Sequence, residues 1–304
     1  MLKFSTFLLY YSPYNGKKGN YIYDLERKYN MDHNKNKYED SNLNAQDIEE
    51  LKKLIKDNPL YIRNLEEPSE ELKALAVSRK GSVIQYIKNP SEELQLLAVK
   101  NDPMSVEYIH EPWEQVAILA VKGNWNALKY IKNPVEAVIK AAIEEKGWAI
   151  QYIKDPTNEQ QLLAIEKDYD AVRYIAFPTI EAQILAVSKY WGAIRYIKEP
   201  FLETKLKALE GSAEAIMYIN SYNEEELGAF IKKNINVLKY LYDSVEVQWA
   251  VELIKEKIQE NQVDPVYIKN YMELEILEMD KLAFIRDFGS KSAKKIVVDY
   301  CLSL

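Results

Sequence analysis

A 22-residue period dominates the chain, and short units repeated at a fixed spacing can bury their apolar residues only by stacking on one another. Prolines stand at Pro68, Pro90, Pro112, Pro134, Pro156, Pro178 and Pro200. Tyrosines keep the same spacing at Tyr86, Tyr108, Tyr130, Tyr152, Tyr174, Tyr196, Tyr218 and Tyr240, each followed by Ile except the last, where Leu241 stands. Eight residues after each proline comes an alanine: Ala76, Ala98, Ala120, Ala142, Ala164, Ala186 and Ala208. Chance does not hold three registers in phase over seven units. With only 9 Gly and 11 Pro in 304 residues there is little material for the turns of an all-β repeat, while Leu, Ile, Ala, Glu and Lys favour helix.

Each unit reads as two short helices. The first begins near the proline, whose missing N–H costs nothing in a first helical turn, and Glu70, Glu92, Glu114 and Glu136 sit where the positive helix end favours them. In Asn89-Pro90-Ser91-Glu92 either Asn89 or Ser91 can be the cap. Consecutive apolar residues such as Leu96, Leu97, Ala98 and Val99 cover too wide an arc for a surface helix and suit one held between neighbours, with the small alanine allowing close approach. The second helix spans Ser82 to Lys88, Asp170 to Ala176 or Gly192 to Lys198 in different units. At about 100° per residue Val83, Ile84 and Ile87 share one arc, Tyr86 lies on its rim and Gln85 lies opposite, facing solvent. A 3₁₀ helix changes the angles but leaves Ile84 and Ile87 on one face.

The expected fold is all-α, a right-handed α-solenoid of about ten two-helix units. Residues 1–44 read as an N-terminal segment and polar linker, with Met31 a second potential start and His33 inside the linker. Residues 45–243 hold the regular repeats, and 244–304 hold divergent repeats and a C-terminal capping helix, as a stack with water-facing ends requires. The proline start, the two helices of unequal length and the period in the low twenties resemble the leucine-rich-repeat-variant family and, more loosely, HEAT-like α-solenoids, over roughly residues 45–290. The family's unit is slightly longer than this one and alternates α with 3₁₀ helices. What the resemblance implies is a curved binding scaffold rather than a shared chemistry.

Three rows of residues are candidates for contact with another molecule. The tyrosine row is read as a packing ladder, because repetition in every unit is a demand of stacking. Lys88, His110, Lys132, Lys154 and Lys198 follow the tyrosines, and Lys129, Arg173, Arg195 and Lys239 lie on the solvent row, a segregation of positive charge in a chain of net −7. Such cations complement helix C-termini, or present a positive surface to an acidic protein or a phosphate backbone. The turn between the two helices varies, with Gly81, Pro103, Gly147 and Ala213 in some units but Trp125, Tyr169 and Trp191 in others, beside Trp148 and Tyr190. Aromatics confined to the middle units suit an interaction ridge. The candidate partner-binding residues are therefore Trp125, Trp148, Tyr169, Trp191, Lys129, Arg173 and Arg195.

Little points to catalysis. His33 and His110 are the two histidines, and the single cysteine, Cys301, allows neither an internal disulfide nor a cysteine-ligated zinc. No glycine-rich phosphate loop and no metal-ligand spacing is present, so no cofactor or metal is expected. An acid site built from Asp168, Asp170, Arg173 and Trp191 is the one enzymatic arrangement that can be sketched. No apolar run reaches membrane-spanning length. The expectation is a non-enzymatic, cytoplasmic scaffold that binds another protein by occlusion or scaffolding. Its Asn, Lys, Ile and Tyr usage suits a bacterial or phage genome rich in AT, and a factor that inhibits a host protein would fit. The alternative is a nucleic-acid-binding solenoid using the basic stripe.

Overall fold

The computed structural model describes residues 22–27 and 45–303, so Met31, His33 and the linker lie outside the described residues. All regular structure among the described residues is helical. Ten-residue α-helices alternate with six-residue 3₁₀ helices, as in Glu70–Arg79 followed by Gly81–Tyr86, or Ile180–Lys189 followed by Trp191–Tyr196. The chain divides into two units, Met1–Val138 and Ile139–Leu304. In the first, α-helices Ala45–Asp57, Glu70–Arg79, Glu92–Asn101 and Glu114–Gly123 pack in order, and so do the 3₁₀ helices from Pro59–Asn64 to Trp125–Tyr130. In the second, Asn158–Lys167, Ile180–Lys189, Leu202–Gly211, Glu224–Lys233 and Val247–Gln259 form one row, and the 3₁₀ helices from Gly147–Tyr152 to Ile235–Val237 form the other. Each unit is an all-α solenoid. A short helix over 22–27 is tied to the first unit by Glu26, whose Oε1 accepts from Asn64 Nδ2 at 2.8 Å.

The sequence rows map directly onto this packing. Every alanine from Ala76 to Ala208 in the eight-after-proline register is fully buried. Val83, Ile84 and Ile87 are buried, Tyr86 is 41% exposed, and the row opposite the core, Gln85, Glu107, Lys129, Gln151, Arg173, Arg195, Met217 and Lys239, is exposed throughout. The second helix is 3₁₀ because it is short and both its ends are fixed. Lys80, extended at φ −153° and ψ 106°, closes one α-helix through its N–H to Ala76 O at 3.0 Å and opens the next segment by accepting from Val83 N at 3.2 Å. At Asp102, Asn124 and Ser212 the short polar side chain of the junction residue also caps the 3₁₀ helix, whereas the Asp168 carboxylate turns to the preceding unit instead.

One local expectation is corrected. The prolines do not stand in the first helical turn. Ser91 caps Glu92–Asn101, its Oγ accepting from Leu94 N at 3.3 Å, which leaves Pro90 just outside the helix. Asn89 is not the cap but sits at φ 46°, in the left-handed region that asparagine tolerates better than most residues, and Asn133 repeats this at φ 49°. Full capping boxes occur elsewhere, at Thr157 with Gln160 and at Asn223 with Glu226.

A second device, absent from the sequence expectation, ties one repeat to the next. Gln95, Gln161 and Gln183 occupy the same repeat position, and each buried amide donates to the carbonyl of its own unit's proline, Pro90, Pro156 or Pro178, at 3.0–3.1 Å. Gln161 Oε1 then accepts from Thr179 N, and Gln183 Oε1 from Phe201 N and Thr204 Oγ1, groups of the following unit. At the next position Lys205 takes over, donating to Ser221 O and pairing with Glu226 at 2.9 Å; the hydrogen bond from Lys205 is the leading reason that the Glu226 carboxyl lies below its usual pKa. Leucine at position 183 keeps the volume but leaves three part-buried backbone groups, Pro178 O, Glu199 O and Phe201 N, and the buried Thr204 hydroxyl without this partner. Gln183→Leu is expected to lose about 1–3 kcal/mol, read from the shift of the urea midpoint at unchanged slope.

Candidate interaction face

Within the second unit the 3₁₀ helices carry a continuous set of aromatic and charged side chains. The Trp148 indole donates to Asp170 Oδ1 at 2.7 Å, packs edge-on against Tyr174 at 5.9 Å and carries Lys146 Nζ over its face at 4.5 Å. Asp168 ties the same corner together, accepting from Lys146 Nζ and from Gly147 N at 2.7 Å each. Asp170 pairs with Arg173 at 3.4 Å, and the Arg173 guanidinium lies 4.0 Å from the centre of the Tyr196 ring. One repeat on, Arg195 donates to Gly192 O at 2.8 Å and lies 4.6 Å from the centre of the Tyr218 ring. The arginines are thus rungs between successive tyrosines, each planar cation facing a ring quadrupole.

The turn aromatics continue the pattern. Tyr169 and Tyr190 stand 5.1 Å apart, Tyr190 and Trp191 5.6 Å, and Trp191 and Tyr218 6.3 Å. Gly192 leaves room for the Tyr190 ring, which a Cβ there would approach to 2.5 Å. Of the sequence candidates, Trp148, Tyr169, Arg173, Trp191 and Arg195 share this network, with Tyr169 and both arginines exposed and the two tryptophans half-buried. Trp125 and Lys129 belong to the first unit, where Trp125 is half-buried and Lys129 Nζ lies 5.4 Å from the centre of the Tyr130 ring. The tyrosines and arginines therefore carry out much of the packing within the face, and the outermost surface is left to other residues.

Those outer residues break the repeat consensus. The residue after the repeat proline is Ser69, Ser91, Thr157 or Thr179 where it caps the following helix, but Trp113 and Phe201 fill this position without a capping bond, 56% and 50% exposed, and Val135, 51% exposed, fills it in a third unit. A missing cap costs about 1 kcal/mol, and an exposed aromatic ring does not offset it within the fold. Phe177 stands where other units have Asn89, Glu111, Asp155, Glu199 and Ser221, and it is 89% exposed. Phe177 and Phe201 line one groove of about 380 Å³ with Arg173, Pro178, Gln183 and Tyr196. The signal was available in the sequence: large apolar residues at repeat positions that hold polar ones in most units.

The other chemical candidates are placed plainly. Asp168 and Asp170 do not converge on an open site, since each is committed to the partners above. His110 is exposed 3.7 Å from Glu111, and Cys301 is exposed near the C-terminus. Among the described residues no group of three or more His, Cys, Asp or Glu could hold a metal ion, and no helix is long and apolar enough to cross a membrane. Compared with known proteins, the chain matches no family model, no curated protein and no solved structure.

Proposed function

We propose that this chain is a scaffold that binds another protein through the second-helix face of residues 146–218, acting by occlusion or by holding its partner in place. The observation that carries this reading is the exposure of Phe177, where every other regular unit has a polar residue, and of Phe201, where four other units have a Ser or Thr cap. Central aromatic and arginine residues are the usual energetic anchors of protein interfaces. Arg173 and Tyr196 stand between them already ordered by stacking, so a partner meets a preformed groove. The alternation of α with 3₁₀ helices supports kinship with leucine-rich-repeat-variant scaffolds, and the composition supports a bacterial or phage origin. A nucleic-acid partner is the weaker reading: Arg173 is engaged by Asp170, and Arg195 by the Gly192 carbonyl, which leaves fewer free donors for phosphates.

The structure changes which substitutions test this function. Trp148 and Trp191 are internal to the face, so removing them confounds binding with folding. The double variant Phe177→Ser, Phe201→Ser removes one almost fully exposed ring and one half-exposed ring, and gives position 201 a capping side chain. It is expected to weaken binding of a partner isolated on the wild-type chain by at least about tenfold while the thermal midpoint holds or rises, measured by calorimetric titration and thermal melting. Unchanged affinity would take the groove out of the interface.

A further inference from the structure

The polar ties between repeats stop at Glu224–Lys233. Leu227 stands four residues after the Asn223 cap of that helix, as Gln183 stands four after Thr179 and Lys205 four after Phe201. Leucine has no group with which to make the bonds that Gln183 and Lys205 make to the following unit. At this edge the structure has an open groove of about 300 Å³, lined by Leu227 and by the segment that leads into Val247–Gln259.

The uncharged part of the lining is apolar and partly aromatic. Gly228 stands where other units have Leu96, Ile118, Leu162, Ile184 or Leu206, and a Cβ on it would lie 3.6 Å from the Trp249 ring. The missing side chain gives the indole its place beside the helix. Trp249, half-buried, shares the lining with Val245 and with the exposed Tyr222, whose ring is braced edge-on by Phe230. The charged part has a single sign. Glu224 and Glu246 come to the groove from two successive helix starts, both are exposed, and no lysine or arginine lines it among the described residues. Glu226, in the same first turn as Glu224, is neutralised by Lys205 at 2.9 Å, whereas Glu224 and Glu246 have no cation at ion-pair distance among the described residues. Acids at helix starts are ordinary in this chain, since the positive helix end favours them. What sets this pair apart is the aromatic groove they share.

We infer that this groove receives an arginine side chain of a protein partner, its guanidinium against the Trp249 ring and its N–H groups donating to Glu224 and Glu246. A guanidinium is planar and weakly hydrated, so it stacks on an aromatic face while its edge donates to carboxylates; a lysine ammonium is a compact, strongly hydrated charge that does not combine the two. The chain uses the same constellation internally, where Arg173 lies on the Tyr196 ring and pairs with Asp170. At the groove the ring and the carboxylates are present and the cation is left for a partner to bring. The groove shares no residue with the 146–218 face, and the inference does not depend on the function proposed for that face.

Titration of the full chain with N-acetyl-arginine amide, followed by the Trp249 indole N–H resonance, tests the assignment; Trp249→Phe identifies that resonance by its loss. A dissociation constant below about 10 mM is expected for this single side chain. The capped amides of citrulline, which has lost the charge, and of lysine, which has lost the plane, should each bind about fivefold more weakly or worse. Free arginine, whose own carboxylate meets the two acids, should also be weaker. The double variant Glu224→Gln, Glu246→Gln, at exposed positions, should weaken capture by at least about fivefold at unchanged helical circular dichroism. No shift of the resonance up to about 50 mM overturns the inference. So does citrulline or lysine amide binding as tightly as the arginine amide, free arginine binding more tightly than its capped form, or undiminished affinity in the double variant.

Discussion

Replacing Phe230 by alanine is expected to destabilise the second unit by about 3–5 kcal/mol, the range for deleting a fully buried aromatic ring. Phe230 stands 22 residues after Ala208, in the register that holds alanine in every preceding regular repeat, and it is fully buried. Its ring meets Tyr222 edge-on at 5.7 Å. The following helix, Val247–Gln259, starts 23 residues after Glu224 and runs to 13 residues, where earlier helices start 22 apart and run to 10. The phenylalanine ring is fully buried on a helix that packs against this longer, later one. Alanine there restores the consensus residue but leaves the volume of the ring to be filled by rearrangement. Urea unfolding read by circular dichroism measures the loss, and Phe230→Leu should recover most of it. A Phe230→Ala loss below about 1 kcal/mol would mean that the two helices simply close together.

This position also shows how far the sequence carries. The stacking order, the buried alanines, the exposed row from Gln85 to Lys239 and the tyrosine rim follow from phase alone, since a residue type recurring every 22 positions has one environment in every unit. Phase is uninformative where the structure depends on which neighbour a side chain reaches. Gln95, Gln161 and Gln183 are visible as a row, but their amides are buried between units, and a glutamine in a helix reads as surface until its partners are known. The side of the cap on which the proline stands is not legible in the sequence because Ser91 and Asn89 are both competent caps; in the structure Ser91 caps and Asn89 takes the left-handed backbone. The candidate arginines were placed on the correct face, yet their stacking on the next unit's tyrosines is a contact across 23 residues that spacing does not specify. Departures from consensus held the information most relevant to binding: Phe177 replaces a polar residue, Phe201 a capping one and Phe230 an alanine, two exposed and one buried, and phase does not tell these cases apart.

The converse substitution decides whether the alanine register is a constraint or a habit of composition. Ala186 is fully buried at the same repeat position as Phe230, on a helix that packs against Asn158–Lys167 on one side and Leu202–Gly211 on the other. Both neighbours start at the regular 22-residue spacing, whereas the helix after Phe230 does not. Ala186→Phe must therefore push two α-helices apart, strain the Gln161 and Gln183 hydrogen bonds that fix their separation, or expose the ring. The expected cost is about 3 kcal/mol or more, at the upper end of overpacking, seen as a lower urea midpoint and an early loss of helical signal. Ser188→Phe, two residues on along the same helix and exposed, controls for helix propensity and should change stability by less than about 0.5 kcal/mol. If both variants behaved alike, adjacent repeats would be free to slide, and close approach at alanine could not be what holds the solenoid in register.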